Sequence, residues 1–289
     1  MYHTPKKGSK IITRQIMKIF GLEIWKYRYR ELFAEITAFL SDSSQDRGKA
    51  IFTPNPEICL RTLEDREFLD VLQNADYLTS DGIGLYLAYQ MQDASKIGAL
   101  VLFPYFLFNI LFRKKYLYAK YGDRICGSDL TNDLLIFSEE NNIQIAIIDP
   151  YYPADKDKCA SQETFRAKLS AKFPSLDFDF YVYSGEKSDE IFQKIHASWA
   201  QILFSTLGMK SQEISVLKWL KLCQNLRLWL WIGSSFDYHI WFQKRAPEIF
   251  RTLGFEWLYR IFTSPNTCKR LARIYQALIV FPIKILLHK

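Results

Sequence analysis

A chain of 289 residues with 49% hydrophobic and 24% charged side chains can bury one sizeable core, and its composition excludes a disordered or low-complexity protein. The net charge of +7 sits at the two ends: residues 1–30 hold eight Lys or Arg against Glu23, residues 244–289 hold nine against Glu248 and Glu256, and the body between them is acidic. Basic ends on an acidic body fit an anionic membrane leaflet or a polyphosphate ligand better than a nucleic-acid duplex, with an inert solvated tail as the alternative.

In chain order, the polar, basic start leads into no apolar stretch with a cleavage motif, so no signal peptide is read and the cytoplasm is the expected compartment. After this arm, Tyr29 to Leu40 reads as an amphipathic helix and Ala50 to Thr53 as a strand. Helix near 64–74, strand near 76–79, helix from about 83, helix near 128–141 and the apolar run Ile143–Ile148 follow. Helix 158–172, strand 177–183, helix 187–198, strand Gln201–Ser205, helix 211–224 and strand Leu226–Ile232 complete the alternation. Such alternation predicts an α/β, Rossmann-like domain: a mostly parallel sheet with helices on both faces. A helical C-terminal appendage is expected to follow, dividing the chain into 1–243 and 244–289.

Two apolar stretches stay ambiguous. Ile97–Phe112 has no charge but is too short, and too broken by Pro104, to span a bilayer; it is either a buried pair of helices or an interfacial element. In Thr267–Lys289, Leu271, Ile274, Tyr275, Leu278 and Ile279 recur at helical spacing, which fits either docking on the core or contact with lipid.

The ends of parallel strands are where ligands bind. Here they carry Thr53-Pro54-Asn55-Pro56-Glu57, Ser80-Asp81-Gly82-Ile83-Gly84, Thr206-Leu207-Gly208 running into Gln212-Glu213, and Gly233 to Asp237 with Phe236. Asp177-Phe178-Asp179 has the spacing of a metal-binding pair, yet it alternates with apolar residues as a half-buried strand does. The four histidines and five cysteines are scattered without ligand spacing, so neither a metal nor another cofactor is expected and the thiols are expected to be reduced.

The ordered set TPNPE (53–57), SDGIG (80–84), GSDL (127–130), LGMKSQE (207–213), GSSFD (233–237), RAPE (245–248) and GFEWLYR (254–260) resembles the WecG/TagA/CpsF family of glycosyltransferases. The resemblance implies inverting transfer of a sugar, often an N-acetylmannosamine derivative, from a UDP-sugar donor to a polyprenyl-diphosphate-linked glycolipid acceptor, with no metal required. It places the enzyme at the inner face of the cell membrane, peripheral on the membrane surface, and suggests a homo-oligomer. No nucleic acid is an expected partner.

An alcohol is a poor nucleophile until a base accepts its proton, and Asp81 is the expected base; capping of the following helix is its alternative role. Thr53 and Gln212 are expected beside it in catalysis. Asn55, Gly82, Gly84, Ser128, Asp129, Gly208, Glu213, Phe236 and Asp237 are expected to contact substrate. Arg245, Arg260 and Arg270 would hold the departing diphosphate, because guanidinium forks match phosphate. Departures from the family pattern are Ser80 for a proline and Asp149-Pro150-Tyr151-Tyr152 for a glycine-rich loop. They leave open the donor's identity and, as a rival, a catalytically silent relative acting as a scaffold.

Overall fold

The computed structural model describes residues 15–42, 47–150, 156–183, 188–207, 225–231 and 267–289, with residues 223, 247 and 259. The first element is a hairpin inside the expected basic arm: β1 (Ile16–Ile19) pairs antiparallel with β2 (Leu22–Trp25). Its turn, Phe20-Gly21, has positive φ at both positions, the twist that joins antiparallel strands tightly. Ile19, Leu22 and Ile24 are fully buried, so the hairpin belongs to the core.

Six parallel strands form the sheet: β3 (Lys49–Phe52), β4 (Tyr77–Leu78), β5 (Ile145–Pro150), β6 (Phe178–Tyr183), β7 (Ile202–Ser205) and β8 (Leu228–Trp231). Their spatial order is β4-β3-β8-β7-β5-β6. The central strands are mostly apolar because helices cover both faces, with polar Ser205 and Asp149 toward the carboxyl ends of β7 and β5. Side chains alternate between those faces: Ile145 and Ile147 join one cluster, Ala146 and Ile148 the other. The expected α/β architecture is therefore present, and Asp177-Phe178-Asp179 does run into a strand, with Phe180 buried.

One face carries α1 (Tyr29–Ser41), α8 (Gly127–Glu140) and α9 (Lys156–Lys172), packed through Leu32, Ile36, Leu134 and Leu169. The other carries α2 (Pro56–Arg61), α3 (Arg66–Gln73), α4 (Ile83–Asp93) and α10 (Ser188–Ala197), together with the hairpin. From Gly84 to Met91 every residue of α4 is buried. The ambiguous stretch folds as two helices, α5 (Lys96–Val101) and α6 (Phe103–Phe112), followed by α7 (Lys114–Tyr121).

The C-terminal segment forms α11 (Thr267–Tyr275), a π turn (Gln276–Val280) and α12 (Phe281–Leu287). Phe281, Pro282 and Ile285 are buried, Phe281 stands edge-on to Phe20 at 5.7 Å, and Lys289 Nζ donates to the Met91 carbonyl at 2.6 Å. Docking on the core is thus the fate of this helix's inner face. Its outer face exposes Leu271, Tyr275, Ile279, Ile283 and Leu287 at every fourth position. In an unbroken α-helix each such step would drift by about 40°, and the wider π turn sets the drift back. The boundary expected at residue 243 and the helix expected over 211–224 lie outside the described residues, apart from Cys223, which is buried and not helical.

Candidate active site at the carboxyl rim of the sheet

Three loops meet where β3 and β4 end. Thr53, nearly buried, follows β3, and Asn55 caps α2 by accepting from the Ile58 N–H at 3.1 Å, with Pro56 opening the helix. The loop after β4 lies alongside: Thr79 N–H donates to Phe52 O and Asp81 N–H to Pro54 O, each at 3.0 Å. The Ser80 hydroxyl and Tyr89 phenol are 2.6 Å apart, and the Ser80 carbonyl accepts from Ile125 N–H at 2.9 Å. Backbone contacts on both sides thus hold Asp81, whose side chain is partly exposed.

Asp81 stands one residue before the N-cap of α4. That N-cap is Gly82, at φ +91°. That φ favours glycine, and a Cβ there would lie 3.4 Å from Pro56 Cδ. Gly84 permits a closer approach still: a Cβ would stand 2.6 Å from Pro56 Cγ and 3.5 Å from the Ala277 carbonyl oxygen. Its place is in the packing of α2, α4 and the C-terminal segment.

The third loop, Arg124-Ile125-Cys126, opens α8. Burial raises the Cys126 thiol pKa, and the charges of Asp81 and Asp129 raise it further, while Arg124 opposes them. The charges of Asp81, Arg124 and Asp129 are thus all felt at one thiol. Ser128 Oγ lies 3.2 Å from Cys126 Sγ, and Asp129 occupies the first turn of α8, where the helix dipole favours an anion. The Tyr29 phenol donates to Asp133 at 2.6 Å one turn further on, and burial with that bond drives its pKa far up.

A second cluster lies at the ends of β5 and β7. The Thr206 hydroxyl and the Gln162 amide both donate to Asp149. Asp149 and Pro150 extend β5 in register with Val182 and Tyr183, where the family pattern has a glycine-rich loop. Because β8 separates β3 from β7, the ends of those two strands are roughly 10 Å apart. The C-terminal segment also reaches the rim, where Arg273 Nε pairs with Glu57 Oε2 at 3.3 Å.

Of the residues singled out in the sequence, Thr53, Asn55, Asp81 and Gly82 share the β3–β4 rim, with Gly84 beneath them, and Ser128 and Asp129 join through Cys126. Gly208, Gln212, Glu213, Phe236, Asp237, Arg245 and Arg260 lie outside the described residues. Arg270 lies in α11, where only the backbone is described. No group of three or more His, Cys, Asp or Glu that could hold a metal forms among the described residues.

The profile of the Glycosyl transferase WecG/TagA/CpsF family matches residues 17–107 and 108–289. The chain belongs to this family. It is 28% identical over 247 residues, 83% of each chain, to an N-acetylglucosaminyldiphosphoundecaprenol N-acetyl-beta-D-mannosaminyltransferase of Bacillus spizizenii. The protein is therefore a glycosyltransferase. Sequence reasoning passed over Arg124 and treated Asp149 only as a departure from the pattern. Position just before a helix or at a strand end was the signal for each.

Proposed function

We propose that this glycosyltransferase moves a sugar, with inversion, from a UDP-sugar to a polyprenyl-diphosphate-linked acceptor. The acceptor class follows the name of the Bacillus relative, which acts on a diphosphoundecaprenol-linked N-acetylglucosamine. The observation that carries the reading is Asp81: a partly exposed carboxylate at the rim shared by two parallel strands, held through its backbone one residue before the N-cap of α4.

In the proposed step Asp81 accepts the proton of the acceptor hydroxyl as its oxygen bonds to the anomeric carbon. The bond from that carbon to the donor phosphate breaks, and UDP leaves with the electron pair. Asn55 caps with its oxygen, which leaves its amide N–H groups to donate to substrate, and Thr53 borders the same opening. Ser128 and Asp129 are assigned to substrate contacts at the start of α8. Arg124 and the C-terminal arginines, Arg245, Arg260 and Arg270, are assigned to the charge developing on the diphosphate. Gln212, with Gly208, Glu213, Phe236 and Asp237, is assigned to the donor. No metal enters the proposed step.

The proposed location is the inner membrane surface, with residues 244–289 as an appendage. No helix among the described residues is long and apolar enough to cross a membrane. A second reading, a silent scaffold, draws on Asp149-Pro150 continuing strand β5 in place of the glycine-rich loop that the family resemblance implies. A transfer assay with several UDP-sugars and a polyprenyl-diphosphate acceptor decides between them. Asp81→Asn should lower kcat by about 10²- to 10⁴-fold without changing donor affinity or Tm. Full activity in that variant removes the base. Donor binding without transfer by the parent favours the scaffold.

A further inference from the structure

The ambiguous apolar stretch is anchored from beneath and bare above. Phe106 and Ile110 are buried, and Asn109 donates to the Gln90 side chain at 2.8 Å, fixing α6 on α4. On the opposite side Ile97 is 78% exposed, Leu100 68%, Val101 70% and Phe112 68%, with Phe108 also open and its ring 5.0 Å from that of Phe112. Side chains of this kind, clustered on two consecutive helices, form an apolar surface that a lone soluble domain rarely presents.

The charges around this surface point to one occupant. From Ala94 to Gly122 the chain contains Lys96, Arg113, Lys114, Lys115 and Lys120 and neither Asp nor Glu. Lys120 pairs with Asp93 at 2.6 Å, and Lys96, Arg113, Lys114 and Lys115 flank the apolar helices in sequence. Arg113 donates to the exposed Tyr105 hydroxyl at 2.9 Å and lies over the Tyr116 ring, so cations and tyrosines meet at one border of the apolar face. Apolar centre, tyrosine belt and basic rim together match the layers of an anionic bilayer surface: acyl chains, head-group boundary and phosphates.

We infer that the α5–α6 face is a monotopic wedge that seats this enzyme on an anionic lipid bilayer. The wedge rests on the reading that the acceptor is membrane-borne, and it supplies a way to reach it. α7 leaves the wedge and leads through Arg124 and Ile125 to the Ser80 carbonyl, so the chain runs from the lipid-facing helices to the Asp81 rim within a few residues. Neither helix is long enough to cross the hydrocarbon, at six and ten residues, so they enter only the outer part of one leaflet.

The test uses the full chain and vesicles of phosphatidylglycerol mixed with phosphatidylcholine, against phosphatidylcholine alone. The parent should co-sediment with the anionic vesicles, and a Leu100→Glu/Val101→Glu/Phe108→Glu triple variant should lose more than about tenfold in partitioning while keeping its circular dichroism and Tm. A Val101→Trp variant should be quenched by brominated lipid acyl chains. Ile279→Glu/Ile283→Glu serves as the control on the other exposed apolar stripe. Equal binding by triple variant and parent overturns the wedge, as does loss of binding only in the control. If the parent ignores vesicles and sediments as a dimer that the triple variant breaks, the face joins two copies and the lipid assignment fails. Transfer to a short-chain, water-soluble acceptor is read separately: its absence refutes the proposed reaction, and its persistence in the triple variant confines the defect to membrane seating.

Discussion

Helices α4 and α6 are neighbours in sequence and in space, are both apolar, and end differently. α4 is enclosed by the sheet, the β1–β2 hairpin, α2, α6 and the C-terminal α12, so Gly84 to Met91 are all buried. α6 has α4 beneath it and, among the described residues, nothing above Phe108 and Phe112. Burial is decided by what comes back to cover a helix, and two of the elements that enclose α4, the β1–β2 hairpin and α12, come from opposite ends of the chain. The enclosed helix carries the candidate base at its N-terminus; the open one offers a surface.

The comparison can be broken by substitution. Leu87→Ala in α4 removes a fully buried side chain and should cost about 2–5 kcal/mol in chemical denaturation. Gly84→Ala forces a methyl to within 2.6 Å of Pro56 Cγ and should cost about 1–3 kcal/mol, lowering Tm and loosening the C-terminal segment toward proteolysis. Arg273→Ala breaks an ion pair whose arginine is mostly exposed, worth at most about 1 kcal/mol, and its loss should shrink further at high salt. Phe108→Ala in α6 should shift stability by no more than about 0.5 kcal/mol, since the ring is half exposed. If Phe108→Ala were as costly as Leu87→Ala, α6 would be covered in solution and the contrast would vanish.

Much of the fold was legible in the residues themselves. Strand and helix periodicities announced the parallel sheet, and the segments after Phe52 and Leu78 stood out as a rim before any coordinate was known. The hairpin was missed because Lys18, Glu23 and Lys26 flank short apolar pairs, so the basic arm hid a strand pattern. The short helix α2 went unread between the strand at 50–53 and the helix near 64–74; the 3.1 Å cap bond shows that Asn55 and Pro56 open a helix. Asp81 had two roles that spacing alone weighs toward the cap; the structure sets Gly82 at the N-cap and Asp81 one residue before it.

Local pattern alone determined the class of fold, the order of its elements and the rim segments, because periodicity and turn chemistry act over a few residues. Only the tertiary structure decided that the charges of Asp81, Arg124 and Asp129 converge on Cys126, that the Thr206 hydroxyl meets Asp149, and that α12 covers α4 while the outer face of α5 and α6 stays exposed among the described residues. Those outcomes depend on surfaces brought together across tens to hundreds of residues, and hydrophobicity, being non-directional, says that an apolar face will seek cover without saying which partner supplies it.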